Sequence, residues 1–408
     1  MKFALWIVAL ILLVMLSVAA YPAASEAGFS TPGPSVRSPL GQQYYGSPQQ
    51  YGQNEDSAYF YDRLSPYGDW LELNPYGYVW VPRHMGYRWR PYTDGRWVWT
   101  EVGWTWVANE EWGDIPFHYG RWGWDEEIGW FWVPGSVWGP SWVSWRSNDQ
   151  YMGWAPLPPG FQFSIGMNFN SQALDIPFNF WVFIQGSHFQ DNDINSYVLP
   201  FERNQTIVGY TSMRNNLYTR NNRVFNEGFG VDPVRQFTGR AVATYALQNA
   251  PQPGRTRVVG QQVQVFQPAI KLNAAAKPKT VLNTTQARQI LAPAKIFDPR
   301  NQQAIDLEAA AVQKRQIQEK TLLATTQAQE IKNMQVKRDA EALHVRDAAA
   351  KAKITQNYNA KITDLQKSHA VETQKITVRH QNDAVQVKRV VQTAPVKQNP
   401  PDKKKKID

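Results

Sequence analysis

The chain predicts an α+β protein: mainly antiparallel β built from tandem Trp-rich hairpins, followed by a long α-helical C-terminal extension. Three observations carry this. Of the 18 tryptophans, sixteen fall between Trp70 and Trp154. That stretch is a repeat, with Gly77-Tyr78-Val79-Trp80-Val81-Pro82 recurring as Gly103-Trp104-Thr105-Trp106-Val107-Ala108 and as Gly129-Trp130-Phe131-Trp132-Val133-Pro134, 26 residues apart each time. Finally, residues 301–391 contain neither proline nor glycine.

Fixed-period similarity means one supersecondary unit used several times. Trp-x-Trp has the strand period of two and puts both indoles on one face. Each aromatic segment follows a partner, Gly68-Asp69-Trp70-Leu71-Glu72, Gly95-Arg96-Trp97-Val98-Trp99 or Gly120-Arg121-Trp122-Gly123-Trp124, across a gap of hairpin length. A fourth unit is degenerate: Ser141-Trp142-Val143-Ser144-Trp145-Arg146, then Gly153-Trp154-Ala155-Pro156. Four hairpins in tandem are expected over residues 58–160, arranged as a meander, a sandwich or a small barrel. The glycines before the aromatic strands, Gly77, Gly103 and Gly129, are expected to include at least one at φ > 0.

The motifs Gly95-Arg96-Trp97-Val98-Trp99, Phe117-His118-Tyr119-Gly120-Arg121-Trp122, Gly129-Trp130-Phe131-Trp132-Val133-Pro134-Gly135, Trp138-Gly139-Pro140-Ser141-Trp142-Val143-Ser144-Trp145-Arg146 and Gly153-Trp154-Ala155-Pro156-Leu157-Pro158-Pro159 occur in order. Together they resemble a bacterial family of Trp-rich exported proteins known only as a domain of unknown function. The resemblance spans roughly residues 58–270. It implies export from a bacterium and brings no activity with it.

The remaining elements follow in order. Lys2 and the apolar run Phe3–Val18, followed by small residues, read as a signal peptide within residues 1–27, with cleavage after Ala20 or Ala27; an uncleaved membrane anchor is the alternative. Residues 28–57, rich in Gly, Pro, Ser, Gln and Tyr, read as a flexible linker. Residues 161–270 read as a second β-rich region, with strands at Phe161–Ile165, Phe180–Ile184, Thr206–Tyr210, Arg240–Tyr245, Arg257–Val259 and Gln262–Phe266. Residues 271–300 read as a linker, 301–391 as a basic helical region and 392–408 as a disordered basic tail ending in Lys403-Lys404-Lys405-Lys406. The helical region lacks a sustained heptad, so one to three mostly solvated helices are expected, with self-association as one use for them.

The charge is split. Residues 271–408 carry 26 Lys+Arg against 13 Asp+Glu, whereas residues 1–270 carry 17 against 21. No lysine occurs between Lys2 and Lys271, and there is no cysteine anywhere. Disulfides, thiolate metal sites, cysteine nucleophiles and lipidation on cysteine are thereby excluded.

Two readings of the tryptophans stand. In one they are the core. In the other some face outward as a platform for sugar rings, with Trp97, Trp99, Trp104, Trp106, Trp122, Trp124, Trp130 and Trp132 as its source. Glu101, Asp125, Glu126, Glu127 and Asp149 fall in predicted turns; if these turns converged, their carboxylates would suit glycoside hydrolysis or Ca²⁺. The histidines, His84, His118, His188, His344, His369 and His380, show no ligand spacing in the β-rich part. No nucleophile elbow or phosphate loop occurs, so no catalytic residue, cofactor or metal is assigned. Arg83, Arg88, Arg90, Arg96 and Arg121 sit among aromatics, suited to stacking or to an anionic polysaccharide. The expected role is non-enzymatic binding or scaffolding at the cell envelope. The expected partners are envelope or cell-wall polysaccharide and, for the basic tail, anionic polymers or lipid head groups. Export argues against nucleic acid. An assembly role through the helices and a carboxylate-dependent hydrolase are the alternatives.

Overall fold

The computed structural model describes residues 54–393 except 84, 86–88, 162, 164–165, 170–173, 284 and 288–301. The expected signal peptide, most of the expected linker over 28–57 and residues 394–408 of the expected tail lie outside the described residues. Asn54–Asp56 (β1) leads into Ser57–Leu64 (α1), where the Asp56 carboxylate accepts from the Ala58 N–H as the N-cap. Four hairpins follow: Gly68–Leu73 with Gly77–Pro82 (β2, β3), Gly95–Thr100 with Gly103–Ala108 (β4, β5), Arg121–Asp125 with Gly129–Val133 (β6, β7), and Val143–Ser147 with Tyr151–Pro156 (β8, β9). The next segment supplies Asn168–Phe169 (β10), Val182–Gln185 (β11), Asn204–Tyr210 (α2), Ser212–Met213 (β12), Leu217–Arg220 (β13), Arg223–Asn226 (β14) and Asp232–Thr238 (α3). Thr244–Asn249 (β15), Arg257–Val259 (β16), Gln262–Val265 (β17) and Ala269–Lys271 (β18) complete the β part. Two long helices, Gln302–Leu343 (α4) and Ala348–Thr393 (α5), end it.

The registers show why the repeat has its sequence. In each hairpin one tryptophan faces another across the ladder: Trp70 and Trp80, Trp97 and Trp106, Trp122 and Trp132, Trp145 and Trp154. None of these eight is more than 4% exposed. Burying an indole removes about 150–250 Å² from water, or roughly 4–6 kcal/mol of transfer free energy. The pairs then join. Trp80 of β3 pairs with Trp132 of β7, making one sheet of order β2-β3-β7-β6. Trp97 meets Trp145 at 4.6 Å and Trp154 at 5.6 Å between ring centroids, bringing the second hairpin onto the fourth. Trp112 and Phe117 bridge the two groups, Trp112 reaching Trp80 and Trp122 while Phe117 reaches Trp106.

The hairpins are therefore not one continuous meander. The first and third share a sheet, the second lies inside an eight-stranded sheet of order β10-β13-β14-β5-β4-β15-β17-β16, and the fourth forms β11-β9-β8-β12. Thr206–Tyr210, expected as a strand, is helical. Burial falls at Arg203, Ile207 and Thr211, the helical spacing of four, which so short a segment does not reveal in its sequence. Strand β15 begins at Thr244, later than the Arg240–Tyr245 expected, and most of Phe161–Ile165 lies outside the described residues. The expected linker after Lys271 runs back along the first hairpin: Leu282 N–H donates to the Trp70 carbonyl at 2.8 Å, and Ala287 is buried with Leu71, Val79 and Phe131.

The two long helices form an antiparallel hairpin with an eleven-residue period. Glu319 meets His380, Glu330 meets His369 and Glu341 meets Tyr358, each pair one step of eleven from the next on both helices. Buried Val312 and Leu323, and buried Leu365 and Ile376, keep the same step. Eleven residues make three turns at 3.67 residues each, close to the straight-helix value, so one stripe stays on one face without a heptad. That stripe is docked rather than solvated. Arg203, fully buried, donates to Glu330 at 2.6 Å, Thr326 at 2.6 Å and Glu372 at 3.1 Å, and Tyr151 Oη donates to Glu330 at 2.8 Å. Eleven residues along, Arg379 bridges Glu319 and Glu202, and Arg315 donates to the carbonyls of Asn195 and Val198.

Gly77, Gly103 and Gly129 all have positive φ, at 75°, 100° and 77°. A Cβ on Gly77 would meet open space, whereas one on Gly103 would lie 2.1 Å from the Asn226 carbonyl oxygen. Gly77→Ala is expected to cost about 1–2 kcal/mol from backbone strain alone. Gly103→Ala should cost clearly more, because strand β14 must also move. Denaturant unfolding of the two variants checks this; equal losses would contradict the close approach.

The docking makes a second prediction. Burial alone would raise the Glu319 carboxyl, but His380, Arg379 and Arg315 outweigh it and hold it at about 2. Glu330 is likewise held below its usual range, burial being outweighed by His369 and Arg203. A carboxylate depressed in the folded state contributes stability above its unfolded value, and loses it as pH falls through the folded value. The protection of α4 amides, each rate taken relative to the unprotected rate at the same pH, should be high at about pH 5 and fall progressively between about pH 4.5 and 2. Arg203→Met should bring fast exchange already at neutral pH, because two buried glutamates lose their cation at a cost of about 3–5 kcal/mol.

Candidate functional site

The eight tryptophans proposed as a platform separate by position in their hairpins. Trp97, Trp106, Trp122 and Trp132 belong to the buried cross-strand pairs, and Trp104 is also interior, edge-on to Phe189 at 4.9 Å. A buried indole has no face to offer a sugar ring, so these five are core. Trp99, Trp124 and Trp130 sit one pair nearer the turns, where the face reaches the rim: Trp99 opposite Trp104 and Trp124 opposite Trp130. Trp99 and Trp130 are half-buried, Trp130 resting edge-on against Phe180 at 4.8 Å. Only Trp124, at 36%, is exposed among the eight.

The turn carboxylates have three different surroundings. Glu101 accepts from Arg223 and from the Leu247 N–H of β15. Asp125 caps its own turn, accepting from the Glu127 and Ile128 N–H groups. Asp149 pairs with Lys337 of α4 at 2.6 Å. Among the described residues no group of three or more His, Asp or Glu could hold a metal ion. His118 is interior, its Nδ1 3.0 Å from the Gly139 carbonyl and its ring stacked on Trp138; burial pulls it down to about 4. Neutral at ordinary pH, it acts there as a packed, hydrogen-bonded ring.

The arginines divide. Arg121 lies over the Trp142 ring, 3.7 Å from its centroid, and burial pulls it down to about 9. Arg83 pairs with Asp69, and Arg96 donates to Asn192. Arg88 lies outside the described residues. Arg90 has a different setting, because it lines a cleft of about 320 Å³ where the β part meets α4. Its guanidinium donates to the carbonyls of Trp181 (2.7 Å) and Leu199 (3.4 Å). Burial, reinforced by the nearby Arg315 charge, pulls it down to about 10, so it remains a cation at neutral pH.

The segment that carries Arg90 is built around a strained residue. Tyr92 has φ 61° and is fully buried. It keeps that conformation because its hydroxyl donates to the Phe117 carbonyl and accepts from the Trp142 N–H, while its own carbonyl accepts from Trp154 Nε1. Strain of this kind persists only where the surroundings over-determine it, and it clusters at functional sites. Here it turns the chain so that Trp89, Arg90, Thr93 and Asp94 all line the cleft. Sequence reading placed Arg90 among aromatics but missed the cleft, whose far wall comes from α4, more than 200 residues away.

Position in the hairpin predicts the cost of removing each indole. Trp132→Ala should cost about 3–5 kcal/mol, and Trp124→Ala should stay within about 0.5 kcal/mol. Thermal melts of both variants check this. A large loss at Trp124 would place that indole in the core.

No curated protein and no solved structure matches this chain. The four-hairpin segment does have known relatives: residues 61–161 match a family of unknown function, DUF6600, over a shorter span than the 58–270 that the motifs suggest.

Proposed function

We propose that the protein is exported and acts as a non-enzymatic binding or scaffolding module of the bacterial cell envelope. The observation that carries this reading is the docked helical hairpin. Its helices of 42 and 46 residues are about 60–70 Å long at the usual rise. Arg203 and Arg379 hold them on an aromatic head in one orientation. A rigid head with a long arm suits a part that spaces or anchors other components. Lys351, Lys353, Lys361, Lys367 and Lys375 on α5 are exposed and suit anionic envelope polymers or lipid head groups. The exposed Trp124 beside half-buried Trp130 offers a small aromatic rim for a sugar ring.

The assembly reading has its own support, because Ile317, Val371, Val378 and Val385 are exposed on the arm. Cell fractionation followed by retention on purified cell-wall sacculi tests the proposal. The full chain is expected outside the cytoplasm and on the sacculi, with Trp124→Ala lowering retention without lowering stability. A chain that stays in the cytoplasm and washes freely from envelope material overturns it. Sedimentation of the purified protein separates the assembly reading, which requires a concentration-dependent oligomer.

A further inference from the structure

We infer that the cleft between the Tyr92 turn and α4 is a binding site for a carboxylate-bearing sugar unit, such as one residue of an acidic polysaccharide. The volume of about 320 Å³ lies at the small end of the range for ligand pockets, about 300–1,000 Å³. Three cations line it. Arg90 is half-buried, Arg315 is half-buried on α4, and Lys314 is exposed at the rim. Among the described residues no carboxylate lies within ion-pair distance of Arg90, whose hydrogen bonds go to neutral carbonyls. Glu319 and Glu202 attract this guanidinium from a distance without bonding to it, and a ligand carboxylate offers the planar, bidentate partner it matches.

The rest of the lining decides between kinds of anion. Asp94 and Asp193 are also there, each already accepting from a neighbour, Asn109 and Ser196 respectively. Two carboxylates in the wall disfavour a densely charged phosphate. They suit hydroxyl donors, and the side-chain amide of Asn195 offers a donor for the opposite polarity, the Ser196 hydrogen being given to Asp193. Trp89 adds an indole to the wall, held by its Nε1 donating to Glu110 at 2.8 Å and by Trp112 and Trp122 edge-on to it. Cation, hydroxyl partners of both polarities and an aromatic wall together match a ring that carries both hydroxyls and a carboxylate. The site is also built in advance: the buried hydrogen bonds of Tyr92 hold one wall, and Arg315 ties the other to the Asn195 and Val198 carbonyls.

This inference deepens the envelope reading by naming a ligand class, but its test uses purified full-length chain and free sugar. It can therefore fail while fractionation succeeds, and the reverse. Titration calorimetry with trigalacturonate, with neutral galactotriose and with inorganic phosphate is the experiment. Trigalacturonate is expected to bind in roughly the 0.1–1 mM range and galactotriose at least about tenfold more weakly. Arg90→Gln and Lys314→Glu should each weaken trigalacturonate by about tenfold or more. Lys314 is exposed, so its variant reports on binding even if Arg90→Gln unfolds. Lys271→Glu, at an exposed position of β18 outside the cleft lining, should bind as wild type. The inference is overturned by absence of trigalacturonate binding, by equal binding of the neutral sugar, by Lys314→Glu binding as wild type, or by phosphate binding as tightly as trigalacturonate.

Discussion

A tryptophan facing a tryptophan across two strands, with a glycine beneath it, is the constraint on which the rest of this structure depends. In the first three hairpins the indole of the second strand lies over the glycine at the start of the first strand or just before it. A Cβ on Gly68 would meet Trp80 at 2.3 Å, one on Gly95 would meet Trp106 at 2.7 Å, and one on Gly120 would meet Trp132 at 2.7 Å. The glycine lets the largest side chain lie flat on the backbone, and the flat indole presents its other surface to the next hairpin. This is why each of these units opens on Gly-x-Trp, the glycine two residues before the tryptophan that faces the covering indole. It also explains why the hairpins close on one another: no hairpin can bury its pair alone, and each finds the missing surface on another.

The arm obeys a different logic. Burying Arg203 with Glu330 and Glu372 gains little net stability compared with apolar residues of similar size, because desolvation offsets the Coulomb gain. What the charges supply is position. The eleven-residue period makes successive layers of the hairpin alike, Glu319 with His380 and Glu330 with His369, so a purely apolar stripe would dock almost equally well one layer along. Only one layer meets Arg203, and the other meets Glu202 through Arg379. Asn333 on Gln150 and Lys337 on Asp149 mark the same register further along α4.

Much of the fold was legible in the sequence, and for a physical reason. Strand period, hairpin spacing and the left-handed glycines are local properties, so the four hairpins and the conformations of Gly77, Gly103 and Gly129 could be read from a few residues each. The pairing of the first hairpin with the third could not, because both present the same Trp-lined edge as the second. The helical period is invisible against a heptad, although Glu308, Glu319, Glu330 and Glu341 recur at eleven in the sequence. The docking of Arg203 had no local signal, since an arginine before a short mixed segment reads as solvated. The interior place of Trp97, Trp106, Trp122 and Trp132 could have been anticipated from distance to the turn, because indoles nearer the open end of each hairpin are covered by the next one; Trp104, near its turn, is interior because Phe189 and Phe229 of later segments cover it.

The division between repeat and seam bears on where function lies. The repeat gives its apolar surface to the core, and of its turn carboxylates Asp125 caps its own turn while Glu101 and Asp149 reach β14, β15 and α4. Besides His118 and Arg121, polar groups in unusual settings lie where distant segments meet: Arg90 beside α4, and Arg203 and Arg379 between the helices and the β part. At such a seam, walls from two elements can be spaced by the length of one side chain, and a cation can be held by backbone carbonyls without a counter-charge. On this view the tryptophans that dominate the sequence build the support, and recognition belongs to the sparse charged residues that the support holds in place.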